Sequence, residues 1–319
     1  MELMLLEPVG KDYLWGGSRL QEEYHKCMDV VPLAETWECS VHPDGPSIVM
    51  NGKFAGKTLS SVLEEHPEFL GTKQSGNMPI LVKLIDAEKD LSVQVHPDDE
   101  YARKIEEENG KTEMWYVIDA KPGASLIYGF AHKVTKEQLQ NAIETGQLMK
   151  HLQKVPVHKD DVFYIPAGTV HAIGAGILLA EVQESSNITY RVYDYDRVGK
   201  DGKKRELHFE KAIQVMDMEP AIEARQKPKI VHYNPRCSRE LLCRCQYFEV
   251  ERIQTTEFFV FEVLEKSFQV ILCLKGRGVI KTRKLNNMIS FVKGNCMFVP
   301  AGMGECVVEG NVTLLKIRC

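Results

Sequence analysis

Short strand-like runs separated by turn residues constrain the fold of this chain more than any other feature. Six such runs are rich in Val, Ile, Tyr and Phe and are bounded by Gly, Pro, Asp or Asn; they occupy 79–87, 91–95, 114–120, 125–130, 161–167 and 176–183. Strands of this length and spacing are typical of an all-β sandwich or barrel. After about residue 230 the pattern becomes almost purely strand-like.

Three helical segments interrupt the first two thirds of the chain. The segment 58–70 can begin at a Thr or Ser cap, and the segment 98–110 has an Asp-rich start and a terminal Gly. The segment 135–153 has apolar residues at helical spacing and is divided by Gly146. The sequence therefore predicts a mainly β protein with helical insertions in its first half.

An internal repeat links the two parts of the chain. Residues 160–171 read DDVFYIPAGTVH and residues 294–305 read GNCMFVPAGMGE, so an apolar strand precedes Pro-Ala-Gly in both. His171 at the end of the first copy is replaced by Glu305 in the second. We interpret this as a duplicated β-barrel in which only the first copy retains a metal site. The sequence therefore predicts two domains. Residues 1–225 would form a catalytic domain, and residues 226–319 would form a degenerate second barrel.

Composition excludes several classes of protein. The chain has 319 residues, a formal net charge of −5, 44% hydrophobic residues and 27% charged residues, which gives no indication of a nucleic-acid or anionic-membrane partner. No stretch approaches the roughly 20 apolar residues that span a bilayer, and the N-terminal segment lacks the features of a signal peptide. The nine cysteines include no CxxC pair. We therefore expect reduced thiols in a cytoplasmic protein.

Four residues form a candidate metal site. Gln94 and His96 are two positions apart and share one face of a strand, whereas Glu113 and His171 each lie beside another apolar run. Each has an ordinary structural interpretation on its own, but two imidazoles, a carboxylate and an amide oxygen can surround a divalent metal and leave a position open. The amide oxygen fills a position that an iron oxygenase needs, which favours Zn²⁺ while leaving Mn²⁺, Co²⁺ and Fe²⁺ open.

Six motifs resemble, in order, the type I mannose-6-phosphate isomerases of the cupin superfamily, and in particular their compact bacterial form. They are WGG (15–17), ETWECSVHPDG (35–45), QVHPDDEYA (94–102), GKTEMWYV (110–117), PAGTVHAIGAG (166–176) and EVQESSNITYRVYDYDR (181–197). The resemblance implies a tandem cupin, a jelly-roll β-barrel in two copies. It also implies metal ligands at Gln94, His96, Glu113 and His171, an active-site lysine at Lys111, an arginine at Arg191 and a pocket acid at Glu181.

The resemblance implies the interconversion of D-mannose 6-phosphate and D-fructose 6-phosphate, a metal-assisted proton transfer through a cis-enediol, with one Zn²⁺ per chain. Arg191 would stabilise oxyanion charge or bind phosphate, and Lys111 would bind phosphate or a sugar oxygen, or transfer protons. Glu181 is one candidate for the base, whose identity stays open. The partner would be a small sugar phosphate rather than nucleic acid or membrane, and the protein a monomer or weak homo-oligomer.

Two alternatives remain at this point. Another metal-dependent cupin enzyme, such as a non-haem iron oxygenase, is disfavoured by Gln94. A metal-stabilised sugar-binding or regulatory cupin without turnover is disfavoured by the presence of Lys111 and Arg191 beside four intact ligands. The basic run at 200–205 is interpreted as a solvated turn that could help to recruit an anionic substrate.

Overall fold

The computed structural model describes residues 1–73, 76–199, 202–222, 225–283 and 287–319. Within these residues the helices are α1 (Arg19–Tyr24), α2 (Leu59–Glu65), α3 (Asp99–Ile105), α4 (Lys136–Glu144) and α5 (Phe209–Val215), with short 3₁₀ helices at Gly52–Phe54, Pro67–Leu70 and Leu148–Lys150. No described helix combines the length and the hydropathy required to cross a membrane.

In the part of the chain that the structure describes, thirteen strands precede α5. They are β1 (Met4–Glu7), β2 (Val9–Lys11), β3 (Glu35–Cys39), β4 (Ile48–Val49), β5 (Ile80–Ala87), β6 (Val93–Val95), β7 (Glu113–Ala120), β8 (Ser125–Phe130), β9 (Leu152–Pro156), β10 (Val162–Ile165), β11 (His171–Ala172), β12 (Ile177–Glu184) and β13 (Tyr190–Tyr193). All six predicted runs contain a strand.

Eight further strands follow α5 within the described ranges. They are β14 (Lys229–Asn234), β15 (Cys237–Arg244), β16 (Glu249–Thr255), β17 (Phe258–Val263), β18 (Gln269–Thr282), β19 (Met288–Val292), β20 (Cys296–Val299) and β21 (Gly304–Arg318). The prediction of a nearly pure strand pattern in this part of the chain is confirmed.

Two antiparallel sheets form the first barrel. The six-stranded sheet has the order β10-β7-β12-β5-β3-β2, and the five-stranded sheet has the order β13-β6-β11-β8-β9. Neighbouring strands in these sheets come from distant parts of the sequence, as when β12 pairs with both β5 and β7. Such pairing brings motifs that are far apart in the chain onto adjacent strands.

The second barrel is built from a ten-stranded sheet with the main order β14-β15-β16-β21-β18-β20-β1-β4, to which β17 and β19 are added at β21 and β18. Two of its strands come from the start of the chain, because β1 pairs with β20 and β4 pairs with β1. The N-terminal residues therefore complete the sheet of the second barrel. The predicted division at 225/226 describes the sequence order, and it stays a prediction.

Apolar side chains join the sheets into layers. One face of the five-stranded sheet packs against α4 and α5 through residues such as Leu139, and its other face meets the six-stranded sheet at a cluster with Leu126 and Leu179. The remaining face of the six-stranded sheet packs on the ten-stranded sheet, where Val182 and Phe298 belong to one cluster. A separate apolar cluster fills the interior of the second barrel. Each fully buried side chain of this kind contributes about 1.5–3 kcal/mol.

Capping side chains mark the start of α2, α3 and α4. The Asp98 side chain accepts the Tyr101 backbone N–H at 2.9 Å at the start of α3, and Thr135 forms a capping box with Gln138 at the start of α4. The predicted helices were too long: Pro67 starts a separate 3₁₀ helix, and the end of the 135–153 segment is already β9. The short helices α1 and α5 were not predicted, since six or seven residues give little periodicity.

The two Pro-Ala-Gly segments adopt similar turns. Gly168 and Gly302 both have positive φ, at 86° and 75°, which glycine adopts without strain. The first turn leads to His171 on β11 and the second to Glu305 on β21. Glu305 lies 2.6 Å from the Arg283 guanidinium. The first turn therefore leads to a histidine inside the first barrel, whereas the second turn leads to an ion pair on the second barrel.

Candidate active site

A cavity of 260 Å³ lies between the two sheets of the first barrel. Its lining includes Lys83, Trp115 and Glu181 from the six-stranded sheet and Gln94, His171 and Arg191 from the five-stranded sheet. A larger cleft of 640 Å³ near Thr72 and Arg318 lies elsewhere. Among the described residues, a group of three His, Cys, Asp or Glu donors close enough to hold a metal occurs only beside the first cavity.

Three of the predicted metal ligands converge there. Donor atoms of His96, Glu113 and His171 all lie within 4.8 Å of one another. His96 Nε2 is 3.2 Å from Glu113 Oε1, and His171 Nε2 is 3.8 Å from Glu113 Oε2. Each of the three residues is 1% exposed. Burying an unpaired carboxylate costs free energy. The contacts of Glu113 with the two histidines therefore indicate that the site accommodates its negative charge.

Gln94, the fourth predicted ligand, adjoins the same group. It lies directly opposite His171 on the neighbouring strand. Its amide Nε2 is 3.5 Å from His96 Nε2 and 3.4 Å from His171 Nε2. A half-turn of the amide exchanges its oxygen and nitrogen positions and directs Oε1 toward the two imidazoles. The side chain can therefore offer an oxygen to an ion held by the other three residues.

Backbone carbonyls fix the tautomers of both histidines. His96 Nδ1 lies 2.7 Å from the Ile188 carbonyl, and His171 Nδ1 lies 2.8 Å from the Thr169 carbonyl. A carbonyl can only accept, so each Nδ1 carries the proton and each Nε2 lone pair faces Glu113. Burial lowers the pKa of His96 to about 3 and also lowers the pKa of His171. Two neutral imidazoles beside a carboxylate are the donor set that a divalent metal requires.

Lys111 lies next to the ligand atoms. Its Nζ is 2.8 Å from Glu113 Oε1 and 3.1 Å from His96 Nε2, and the residue is 4% exposed. Burial by itself raises the pKa of the Glu113 carboxyl, but the adjacent Lys111 cation brings it well below its ordinary value. Glu113 is therefore ionised, as a metal ligand must be.

A second row of polar residues crosses the six-stranded sheet. Lys83, Glu181 and Trp115 lie directly opposite one another on β5, β12 and β7. Lys83 Nζ is 3.0 Å from Glu181 Oε1, while Trp115 Nε1 donates to Glu181 Oε2 at 3.0 Å and to Glu113 Oε2 at 3.1 Å. Burial, followed by the charge of Glu113, raises the pKa of Glu181. The indole thus connects the predicted pocket acid to a predicted metal ligand.

Arginines line the side of the cavity formed by β13 and the chain that follows it. Arg191 lies opposite Gln94, and its Nη1 donates to the Glu206 carbonyl at 2.8 Å. Burial and the neighbouring Arg205 guanidinium lower the pKa of Arg191. Arg205 also reaches the cavity and is bound by the Asp194 carboxylate.

Comparison with known families identifies the group to which this site belongs. Residues 3–145 match the model of the phosphomannose isomerase type I catalytic domain, and residues 239–319 match the model of the mannose-6-phosphate isomerase cupin domain. The probable mannose-6-phosphate isomerase GmuF of Bacillus subtilis (strain 168) is 40% identical over 316 residues, which cover 97% of this chain and 96% of that protein. The chain belongs to the type I phosphomannose isomerase family.

Further relatives extend this similarity. Mannose-6-phosphate isomerase ManA of Bacillus subtilis is 40% identical over 97% of this chain and 96% of its own length. The crystal structure of the mannose 6-phosphate isomerase from Bacillus subtilis superimposes with a TM-score of 0.92 at 34% identity and covers 99% of both chains. A mutant of phosphomannose isomerase from Salmonella typhimurium shares the fold, with a TM-score of 0.77 at 15% identity over 99% of each chain.

Family membership confirms three expectations from the sequence. The chain is a type I mannose-6-phosphate isomerase by family, its fold class is a mainly β tandem cupin with helical insertions, and its enzyme class is an aldose–ketose isomerase. The alternatives of a different cupin enzyme or a cupin without turnover are not favoured. The roles of individual side chains stay predictions.

Several cavity residues were not predicted from the sequence. Lys83 and Trp115 contact Glu181, and Glu35 lies 3.7 Å from Lys83 Nζ and accepts the Trp37 indole N–H. A lysine within the apolar run ILVKLIDA, and a tryptophan two positions after Glu113, were signals that could have found the first two. Arg205 ends the basic run at 200–205, which was interpreted as a solvated turn. Residues 202–204 are exposed, whereas Arg205 is partly buried and lines the cavity; Lys200 and Asp201 lie outside the described residues.

Proposed function

We propose that this cavity interconverts mannose 6-phosphate and fructose 6-phosphate with one Zn²⁺ per chain. The observation that supports this most strongly is the convergence of the buried donors of His96, Glu113 and His171 beside Lys111, at the wall of this cavity. The reaction moves a proton between C1 and C2 through a cis-enediol. It therefore requires a charged environment for the developing oxyanion, a group that transfers the proton, and a binding site for the phosphate.

The proposed ligands are His96, Glu113, His171 and the oxygen of Gln94. Zn²⁺ is supported by this mixed set of imidazole, carboxylate and amide donors, because the amide leaves fewer open positions than an oxygen-activating iron site needs. When bound, the metal would polarise the substrate carbonyl and stabilise negative charge on its oxygen. All remaining roles fall to side chains of the chain itself.

Lys111 is proposed to bind a sugar oxygen next to the ligand group. Its ammonium is a compact charge with three donors, and its contacts with Glu113 and His96 support a role close to the reacting carbons C1 and C2. Lys111 is also one of the two side chains that are candidates for moving the proton, because its ammonium lies next to Glu113 and His96.

Glu181 is the other candidate. Its carboxylate is 3% exposed, is fixed by Lys83 on one oxygen and Trp115 on the other, and has a raised pKa. A carboxylate with a raised pKa is a stronger base, and its protonated form is still populated near neutral pH, so the group can both take up and return a proton. Arg191 is proposed to bind an anionic part of the substrate, because a guanidinium stays charged and binds oxyanions with two parallel donors.

Several broader features belong to the same proposal. We place the enzyme in the cytoplasm, because all nine cysteines are free and most of them are buried. We expect a monomer or weak homo-oligomer with no nucleic-acid or membrane partner. We keep the division into 1–225 and 226–319 for the two barrels in sequence order, although β1 and β4 pair within the ten-stranded sheet of the second barrel.

Metal analysis combined with an activity assay tests the proposal. Purified protein is analysed for metals and assayed with mannose 6-phosphate before chelation, after chelation and after addition of Zn²⁺. About one zinc per chain, with activity that is lost on chelation and restored by Zn²⁺, is the expected result. Bound metal without turnover would support a binding or regulatory cupin instead, and protein that binds no metal would contradict the ligand set.

A further inference from the structure

Three guanidinium groups and one carboxylate meet at the arginine side of the cavity. Asp194, which is 5% exposed, accepts from Arg205 Nε at 2.8 Å and from Arg205 Nη2 at 2.6 Å. The same carboxylate accepts from Arg197 Nε at 3.2 Å. Arg191 lines the cavity together with Arg205, and the neighbouring Arg205 guanidinium helps to lower its pKa. Asp194 therefore orients Arg205 through two parallel hydrogen bonds, the most directional form of this interaction.

The balance of charge differs between the two ends of the cavity. At the metal-ligand end, Lys111 lies against Glu113, and Lys83 lies against Glu181. At the arginine end, Asp194 is the one carboxylate that the described contacts place among three guanidinium groups.

The Arg191 side chain has a neutral partner and an unused donor. Its Nη1 binds only the Glu206 carbonyl, and its buried Nε has no hydrogen-bond partner among the described residues. A buried N–H donor without a partner costs free energy unless an acceptor binds to it. The arginine end thus carries positive charge beyond what its own carboxylate balances.

We infer that Arg205, held in position by Asp194, binds the phosphate group of the substrate together with Arg191. The inference rests on the proposed function and assigns its phosphate subsite. A sugar phosphate dianion supplies the charge that the arginine end lacks, and guanidinium groups bind phosphate oxygens in pairs. The C1–C2 end of the sugar then lies toward Lys111 and Glu113. Arg205 is a substrate-binding residue, and Asp194, which does not line the cavity, is a positioning residue.

The position of Arg205 allows this role. Its side chain lines the cavity and retains 25% of its exposure, so donors remain available after the contacts with Asp194 are made. Lys204, the preceding residue, binds Asp196 at 2.6 Å, is 63% exposed and does not line the cavity. The two neighbouring cations therefore differ in access to the substrate but not in charge, which makes Lys204 a matched control.

The test compares Arg205→Ala with Lys204→Ala in zinc-loaded, full-length protein. For Arg205→Ala we expect the KM for mannose 6-phosphate to rise roughly 10- to 100-fold, as loss of a hydrogen bond to a charged group predicts. Competitive inhibition by inorganic phosphate should weaken by a similar factor, while kcat and zinc content change little. Lys204→Ala should keep its KM within about twofold of the wild type, because general surface charge contributes little.

Two further variants keep the test decisive if Arg205→Ala folds poorly. Arg205→Lys retains the charge without the paired donors and should give an intermediate KM. Asp194→Asn should raise KM with little change in kcat, which a merely structural role would not produce. An unchanged KM in Arg205→Ala or Arg205→Lys, or an equal rise in Lys204→Ala, would overturn the inference. A wild-type protein without isomerase activity would instead contradict the proposed function.

Discussion

Gln94 and His171 lie directly opposite each other on β6 and β11, although 77 residues separate them in the chain, and their side-chain nitrogens are 3.4 Å apart. Strand pairing therefore joins two motifs that are distant in sequence. On the other side of Gln94, Arg191 is its partner on β13. One row across the five-stranded sheet thus carries a proposed ligand, a second proposed ligand and a proposed substrate-binding group.

Replacing His171 should remove the metal. His171→Ala deletes one of two imidazoles whose Nε2 atoms face Glu113, and we expect both bound metal and isomerase activity to be abolished. Elemental analysis and the mannose 6-phosphate assay measure the two effects. The control is His158→Ala, since that side chain is 76% exposed and lies outside the cavity. Stoichiometric metal in His171→Ala would remove His171 from the ligand set.

Replacing Arg191 should separate metal binding from turnover. Arg191→Ala leaves the ligand residues unchanged, so we expect the bound metal to remain. Turnover should fall by roughly two to four orders of magnitude, because a substrate whose phosphate is no longer held by Arg191 loses the orientation that places C1 and C2 for reaction. Steady-state kinetics on protein of measured zinc content provides the comparison. A rate near that of the wild type would show that Arg191 takes no part in the reaction.

Trp115 should act through the two carboxylates that it connects. Trp115→Phe retains an aromatic ring in the core but loses the donor to Glu113 and Glu181, so we expect metal affinity or kcat to fall roughly 10- to 100-fold. Metal titration and steady-state kinetics measure the change. Tyr116→Phe is the matched control, because the Tyr116 hydroxyl contacts Asp160 outside the cavity. Equal behaviour of the two variants would be inconsistent with this role.

Glu184 should make stability decrease as pH rises. It is 3% exposed and accepts the Thr112 backbone N–H, and burial raises its pKa from the ordinary 4.5 to about 7. The folded protein therefore binds a proton at this site that the unfolded chain releases near pH 4.5. This contribution to stability is complete below pH 4.5 and is lost as pH rises through about 7.

Urea unfolding at pH 5 and pH 7.5 tests this dependence. Relative to the wild type, Glu184→Gln should gain about 1–2 kcal/mol in its free energy of unfolding between the two pH values, because an amide does not titrate. Glu64→Gln, at an exposed position, serves as the control. Parallel pH profiles for wild type and Glu184→Gln would show that Glu184 does not titrate in this range.

Much of the fold followed from local patterns. Alternating and continuous apolar runs predicted the strands, and an Asp-rich start predicted α3, because the backbone requirements of these elements are met by residues close together in sequence. The repeated Pro-Ala-Gly predicted two similar turns. Short helices such as α1 were not predicted, because packing against distant residues such as those of β5 stabilises them and their own periodicity is too short to detect.

The sequence by itself determined which residues could hold a metal: the spacing of Gln94 and His96, and the turn before His171, predicted this chemistry without coordinates. The tertiary structure alone placed Lys83 opposite Glu181 and brought Arg205 to the cavity through Asp194. It also placed β1 in the second barrel. Local spacing specifies which face of a strand a side chain occupies, but register between distant strands depends on burial and charge pairing across the whole core. Those long-range contacts decide which polar residues meet.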